Sequence, residues 1–330
     1  MSYFLSNLRR RGHLNQISVT VGIIGSRKLS NFKDQIDAEQ EWSIFSPNLT
    51  IYGFDADRVA CEQMNSAIAA QRVNWNEKHF PVALWNSTKE SEIYITRDPG
   101  CISLHPPSEE YRKRFTSGVK AMELMSTEMI ETVTLDSFCK AEEINAIDVL
   151  QIDVQGGEFQ VLEGATEIIE RSTLAIIAEV EFMELYLGQP LFGDVDSCLR
   201  RQGFTLFDLA NIQRDQRRNI PIASGHHPGP LSWADSFYFR DLISDRPNTS
   251  LKTPNTILKL ACIADAMNFP DYALEVLEYL TVNYGSDKQY NFAEVIIESL
   301  SQIPQLLALP EIVEKGFESL PIISKMHNYL

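Results

Sequence analysis

As far as residue 241, apolar residues fall in short runs separated by polar turns. The run over residues 17–24 is β-branched, contains Gly22 and leads into Gly25, which predicts a buried strand and a turn. LTIYGFD at 49–55 is a second run with an acidic tip, and Asp57 is placed to cap a helix running to about Ile68. FPVALW at 80–85 reads as a third strand. EIYITR at 92–97 alternates and reads as an added one. MIETVTL at 129–135 follows, with Asp136 as the cap of a short helix. IDVLQIDV at 147–154 is the strongest strand signal and runs into GGEFQVLEGA, a turn and then a helix. LAIIAEVEF at 174–182, a helix near 193–202, FTLFDL and WADSFYFRD complete the series.

Strands alternating with helices predict an α/β domain with a doubly wound, mostly parallel sheet. Nearly continuous apolar strands imply helices on both faces. The last two strands lack a clear helix between them, which predicts an antiparallel edge pair. DPGCISLHPPSEEYRKRFT at 98–116 reads as a long loop, the kind that carries function in such domains. DRPNTSLKTPN at 245–255 is a linker by composition. Beyond it, helical spacing recurs over 256–268, 271–284, 288–302 and 310–319, punctuated by Pro270, Gly285 and Pro304. The expected organisation is therefore an α/β domain over 1–245 and a helical bundle over 246–330.

The chain has 330 residues, 44% of them hydrophobic, enough for a sizeable core. Its formal net charge of -16 disfavours phosphate backbones and anionic lipid, so neither nucleic acid nor a membrane is an expected partner. No apolar stretch of about 18 residues exists, and the N-terminus lacks a signal-peptide core, so the expected location is cytoplasmic. Cys61, Cys101, Cys139, Cys198 and Cys262 are odd in number and widely spaced, which predicts buried free thiols.

Ligands of an open parallel sheet bind beyond the carboxyl ends of its strands. Those ends carry Gly22 to Gly25, Asp55, Ala83 to Trp85, and Asp153. A glycine turn admits a cofactor close to the backbone, and an acid at the second tip can accept both ribose hydroxyls of an adenosine. These features alone do not separate a nicotinamide cofactor from S-adenosylmethionine. GxGxxG is absent, which weighs against the dinucleotide fingerprint, and so is GxxxxGK[ST].

The block IDVLQIDVQGGEFQVLEGA, with TVTLDSF before it and AEVEFMELYLGQPLF after it, resembles the FkbM family of methyltransferases. Asp153, Gly156, Glu158, Val161, Leu162, Gly164 and Ala165 stand in the matching positions. YGFDAD, PVALW and YITRDPGCISL match as well, so the likeness covers about 17–241. The resemblance implies a class I S-adenosylmethionine fold, Rossmann-like, and transfer of a methyl group to a hydroxyl of a saccharide-like or secondary-metabolite acceptor. By that analogy Gly22 and Gly25 line the methionine end and Asp55 holds the ribose. Ala83 and Leu84 flank the adenine, and Asp153 faces the reacting centre. The chain departs from the pattern at Thr20-Val21-Gly22, where D-V-G is usual, and at Gln155, where the family has Glu.

A hydroxyl acceptor needs a general base. The candidates are Asp153, Glu158, Glu181 and His105. Glu158 opens a helix, where a carboxylate also satisfies the dipole. Alternation puts Glu179 and Glu181 on one face of a buried strand, where acids need partners or a function. His105 lies in the Pro-rich loop. Asp153, Glu158 and Glu181 have oxygen ligands suited to Mg²⁺, but their spacing is not diagnostic, and His226-His227 lacks a third ligand, so no metal is expected. A second reading is a non-catalytic Rossmann-like assembly module, prompted by Thr20 in the degraded first motif. A third, a nicotinamide oxidoreductase, lacks its fingerprint. The C-terminal helices are expected to mediate homo-oligomer formation or to cover the substrate mouth.

Overall fold

The computed structural model describes residues 2–27, 42–244, 250–315 and 320–329. By contact the chain divides into two units. One comprises Thr20–Lys33 and Thr50–Asp241. The other gathers Met1–Val19, Asp34–Leu49 and Leu242–Leu330. The N-terminal segment thus groups with the C-terminal helices, where the sequence had placed it with the sheet. The expected boundary at 245/246 falls outside the described residues.

The α/β unit is built on a seven-stranded sheet. Its strands are β1 (Val19–Ile24), β2 (Leu49–Asp55), β3 (Asn76–Pro81), β7 (Val149–Ile152), β8 (Ala175–Glu181), β9 (Thr205–Ala210) and β10 (Trp233–Phe239), in the order β3-β2-β1-β7-β8-β10-β9. β2 pairs with β3, β1 with β7, and β7 with β8, all parallel. β10 enters between β8 and β9 and is antiparallel to both, the predicted edge pair. The order reverses between β1 and β7, which opens a crevice at their carboxyl ends. A second sheet of three strands, β4 (Ala83–Leu84), β5 (Lys89–Thr96) and β6 (Leu124–Val133), has the order β4-β6-β5.

FPVALW is therefore not one strand. Phe80 and Pro81 end β3 on the main sheet, while Ala83 and Leu84 pair with Thr132 and Val133 on the second. Between them the Val82 amide donates to the Phe80 carbonyl at 3.0 Å, a tight turn. Pro81 brings no N–H to the ladder, so it suits the end of an edge strand.

Ile24, Phe54, Leu150, Ile152, Ile176, Ala178 and Val180 form the core between the sheet and its helices, with Val161 and Leu162 packed on it. The helix Arg58–Gln71 is capped as predicted: Asp57 accepts from the Ala60 amide at 3.0 Å. Asp136 does not cap its own helix. Thr134 does so, accepting from the Ser137 amide, while Asp136 accepts from Glu167 and Ile168 and caps the helix Thr166–Ser172. The long loop at 98–116 contains a capped helix, Glu109–Arg114.

In the helical unit, Pro254–Ala266, Pro270–Tyr284 and Ala293–Leu300 are the principal helices, followed by Pro304–Leu307, Pro310–Lys315 and Pro321–Lys325. Residues 316–319 of the expected last helix lie outside the described residues. The N-terminal helix Leu5–Arg10 is fixed by Asp265, whose buried carboxylate accepts from the amides of Tyr3, Phe4 and Leu5 at 2.8–2.9 Å. Among the described residues no helix is long and apolar enough to cross a membrane. All five cysteines are free, four of them buried and Cys101 half-buried.

Candidate active site

Two groups of polar side chains occupy the carboxyl-end rim of the sheet, joined by one glycine. Gly25 follows β1 with φ +80°, and a Cβ there would stand 1.8 Å from the Asp153 carbonyl oxygen. Only glycine lets the two chain segments approach so closely, and the Asp153 amide donates to Ile24 at 2.9 Å beside it. Gly25 and Ser26 donate to the Phe54 carbonyl, and the Arg27 amide donates to Asp55 Oδ2 at 3.0 Å. The β1 turn thus connects the tips of β2 and β7. Gly25, Asp55 and Asp153 share this rim, as the sequence implied.

Gly22 does not. It lies inside β1, opposite Leu150, and a Cβ there would press on Leu150 and Ile147 at 3.0–3.1 Å. β1 extends two residues past it, so its small size serves packing below the rim. Ala83 and Leu84 are also displaced from their expected place. Both are buried on the second sheet, and neither lines the cleft beside Asp55.

That cleft has a volume of about 430 Å³, within the range of small-molecule sites. Ser26, Arg27, Asp55 and His79 face the helix residues Ala60, Gln63, Met64 and Ala67 across it. Asp55 Oδ1 accepts from the Asp57 amide at 2.8 Å, so each of its oxygens keeps one further acceptor site. Burial pushes its carboxyl pKa up, while Arg27 and His79 draw it back. Arg27 is also ion-paired with Asp57. Ser26 Oγ meets His79 Nδ1 at 3.0 Å, and His79 Nε2 meets Glu77 Oε1 at 3.0 Å. Glu77 in turn accepts from the Trp75 indole at 2.7 Å. This buried hydroxyl–imidazole–carboxylate chain passes over Gly53, where a Cβ would stand 2.0 Å from His79 Nδ1. The sequence reading missed it because β3 was placed four residues late. With β3 at Asn76–Pro81, period-two alternation puts Glu77 and His79 on one face.

The second group lies at the carboxyl ends of β7 and β8 and on the adjoining start of β10. Asp153 and Glu179 are half-buried; Glu158 and Glu181 are fully buried. Asp235 stands opposite Glu179 on β10, its carboxylate held by Asn211 at 2.7 Å. Burial raises the pKa of every one of these acids, and their mutual repulsion raises Asp153, Glu158, Glu179 and Glu181 further. Glu158 reaches about 8. Glu179 is held well above the usual carboxylate range and hydrogen-bonds Asp153.

Gln155 joins the half-buried pair. It adopts φ 58°, an uncommon conformation for a non-glycine residue. Its Nε2 donates to Asp153 Oδ1 at 2.9 Å and to Glu179 Oε2 at 2.7 Å, while its Oε1 accepts from the Tyr186 hydroxyl at 2.7 Å. A glutamate in this position would replace that donor with another acceptor among carboxylates. The departure from D-V-E-G therefore supplies the two N–H groups that the pair uses.

Glu158 uses Oε1 to accept from the amides of Val154 at 2.8 Å and Gly156 at 3.3 Å, closing the turn. Glu181 lies beside Gln189, whose Oε1 takes the Tyr186 amide at 2.5 Å. His105 tilts against Trp85, ring centroids 5.4 Å apart, and faces Gln160; burial lowers its pKa. Its Nε2 is buried without a hydrogen-bond partner among the described residues. The expected candidates thus divide: Asp153 opens onto the rim, Glu158 and Glu181 lie behind it, and His105 stands to one side. Among the described residues no group of three or more His, Cys, Asp or Glu could hold a metal ion.

A family model described as "Methyltransferase FkbM domain" matches residues 42–206, half of the chain. The match includes Asp55, Asp153, Glu158 and Glu181, and begins after β1. No curated protein matches. Among solved structures, the methyltransferase FkbM from Methylobacillus flagellatus KT aligns at 12% identity over 71% of this chain and 47% of that one, with a TM-score of 0.36. This chain therefore spans about half the length of that protein. Magnesium protoporphyrin IX methyltransferase from Synechocystis, solved with bound SAM, aligns at 9% identity over 72% and 76%, with a TM-score of 0.30.

Proposed function

The chain belongs to the FkbM methyltransferase family, and from that we propose that it binds S-adenosylmethionine and methylates a hydroxyl oxygen of a saccharide-like or secondary-metabolite acceptor. One observation carries this reading: Gly25 joins the Asp55 cleft to the Asp153 tip within a single turn. The cofactor supplies a methyl group on a cationic sulfur, already activated for displacement.

The residues present fit that group. Asp55 keeps an acceptor site on each oxygen for the ribose hydroxyls, and the Ser26–His79–Glu77 chain presents an oriented hydroxyl in the same cleft. A cation held beside the acids at the ends of β7, β8 and β10 favours the ionised forms that burial disfavours, so Asp153 is a carboxylate when the cofactor is bound. Asp153 is the general base of this reading. It is half-buried, and its raised pKa makes it a stronger base than a solvated aspartate. Gln155 and Glu179 fix its carboxylate, so that it takes the acceptor proton without reorienting. Glu158 holds the turn that carries Asp153, and Glu181 extends the acidic wall.

Calorimetry with S-adenosylmethionine tests the assignment. Binding is expected, weakened at least about tenfold by Asp55→Ala, the loss of one charge-assisted hydrogen bond. Asp153→Asn is expected to retain binding and lose turnover. Absence of heat with S-adenosylmethionine overturns the proposal.

A further inference from the structure

The chain is acidic overall, yet six of its 29 Lys and Arg residues crowd into two short segments, Arg112 to Arg114 and Arg214 to Arg218. The fold joins these segments. Phe115 bridges Arg217, the Thr116 amide donates to Gln216 at 3.0 Å, and the Arg218 amide donates to the Arg114 carbonyl at 2.8 Å. Arg114 and Arg217 both lie over the Phe115 ring, at 5.7 and 5.0 Å. Lys113 and Arg114 are offset by Glu109 and Glu110 one helical turn back. Asp215 is directed inward, where it accepts from the Tyr111 and Ser232 hydroxyls at 2.5 Å each and pins the segment. Arg214, Arg217 and Arg218 remain exposed, and their contacts are with carbonyls and an aromatic ring: Arg214 with Gly229, Arg218 with Arg112, Arg217 with Phe115.

This positive surface is anchored to the candidate active site. Tyr111 and Phe115 share an apolar cluster with Tyr186, and Tyr186 is the residue that holds Gln155 beside Asp153. A guanidinium fork binds phosphate-type oxyanions bidentately, and stacking on a ring holds its plane in place. We propose that Arg214, Arg217 and Arg218 bind a phosphate- or sulfate-type oxyanion carried by the methyl acceptor, which makes that acceptor an anionic molecule. The proposal rests on the methyl-transfer reading, since it assigns the anion to that reaction's substrate.

The test titrates pyrophosphate into the full chain saturated with S-adenosylhomocysteine, at about 50 mM and about 200 mM salt. Wild type is expected to bind and to weaken with salt. The double variant Arg217→Gln, Arg218→Gln is expected to bind pyrophosphate at least about tenfold more weakly, with unchanged S-adenosylhomocysteine affinity and thermal transition. Inorganic phosphate, glucose and glucose 6-phosphate form the comparison arms. Tighter binding of glucose 6-phosphate than of phosphate marks an oxyanion read as part of a saccharide, and equal binding marks one read alone. Both outcomes keep the oxyanion site. No pyrophosphate binding, or equal binding by wild type and variant, overturns it. Preference for a short RNA over every phosphate probe, lost in the double variant, also overturns it. Failure of S-adenosylhomocysteine itself to bind refutes the cofactor reading instead, and is seen separately in the first titration.

Discussion

Replacing Glu158 by Gln should flatten the dependence of stability on pH. Glu158 is buried, and its pKa is raised from 4.5 to about 8, chiefly by loss of hydration and secondarily by the Asp153 charge. The folded protein therefore retains a proton that the unfolded chain releases. The stability linked to this group is fully present below pH 4.5 and is lost as pH rises toward 8. A difference of about 3.5 in pKa, at about 1.4 kcal/mol each, gives about 5 kcal/mol lost across that window. Glutamine has no proton to lose. Both turn amides are accepted by Oε1 alone, so the amide oxygen can keep them while Nε2 stands where the acid's hydroxyl was. Urea unfolding of both proteins, followed by tryptophan fluorescence from about pH 5 to about pH 8, should show the variant gaining on wild type by about 1 kcal/mol per pH unit. Parallel stability curves over this range would refute the claim that Glu158 folds as a buried neutral acid.

Gly25→Ala should abolish cofactor binding and lower the thermal transition, because the methyl group meets the Asp153 carbonyl and the φ of +80° is itself unfavourable; unchanged calorimetric affinity would count against the shared turn. Gln155→Glu, which restores the family's usual residue, should destabilise by about 1–3 kcal/mol near neutral pH and recover in acid, read by thermal melts at two pH values. Asp265→Ala leaves three buried or half-buried amides without an acceptor and should cost about 3 kcal/mol, with faster hydrogen exchange at Tyr3, Phe4 and Leu5. Exchange at wild-type rates there would mean that the carboxylate does not hold the N-terminal helix.

The strands that form the core were legible because burial on both faces leaves a continuous apolar run, as in β7 and β8. Asp55, Asp153 and the Asp57 cap were legible because each follows a strand or opens a helix in a short-range pattern. β3 was not, since Asn76–Pro81 is a polar edge strand and the apolar signal begins only at its end. The Ser26–His79–Glu77 chain was lost with it. Asp136 was assigned to the nearest helix, yet it caps one 30 residues on; local pattern cannot rank a distant amide against a near one. The pairing of Leu5–Arg10 with Asp265 spans 260 residues and leaves no periodic trace. The basic segments at 112–114 and 214–218 are far apart in sequence, and only the fold lays them side by side.

The contact between Gly25 and Asp153 has a consequence for anyone wishing to alter this rim. The β1 turn and the Asp153 tip are one mechanical piece, so changes to the first cannot be tuned independently of the second. On the proposed reading, acceptor range is better altered at the periphery, in the arginine-bearing strap from Arg214 to Arg218 and in the helix that it crosses. There, side chains can be exchanged while the rim keeps its geometry.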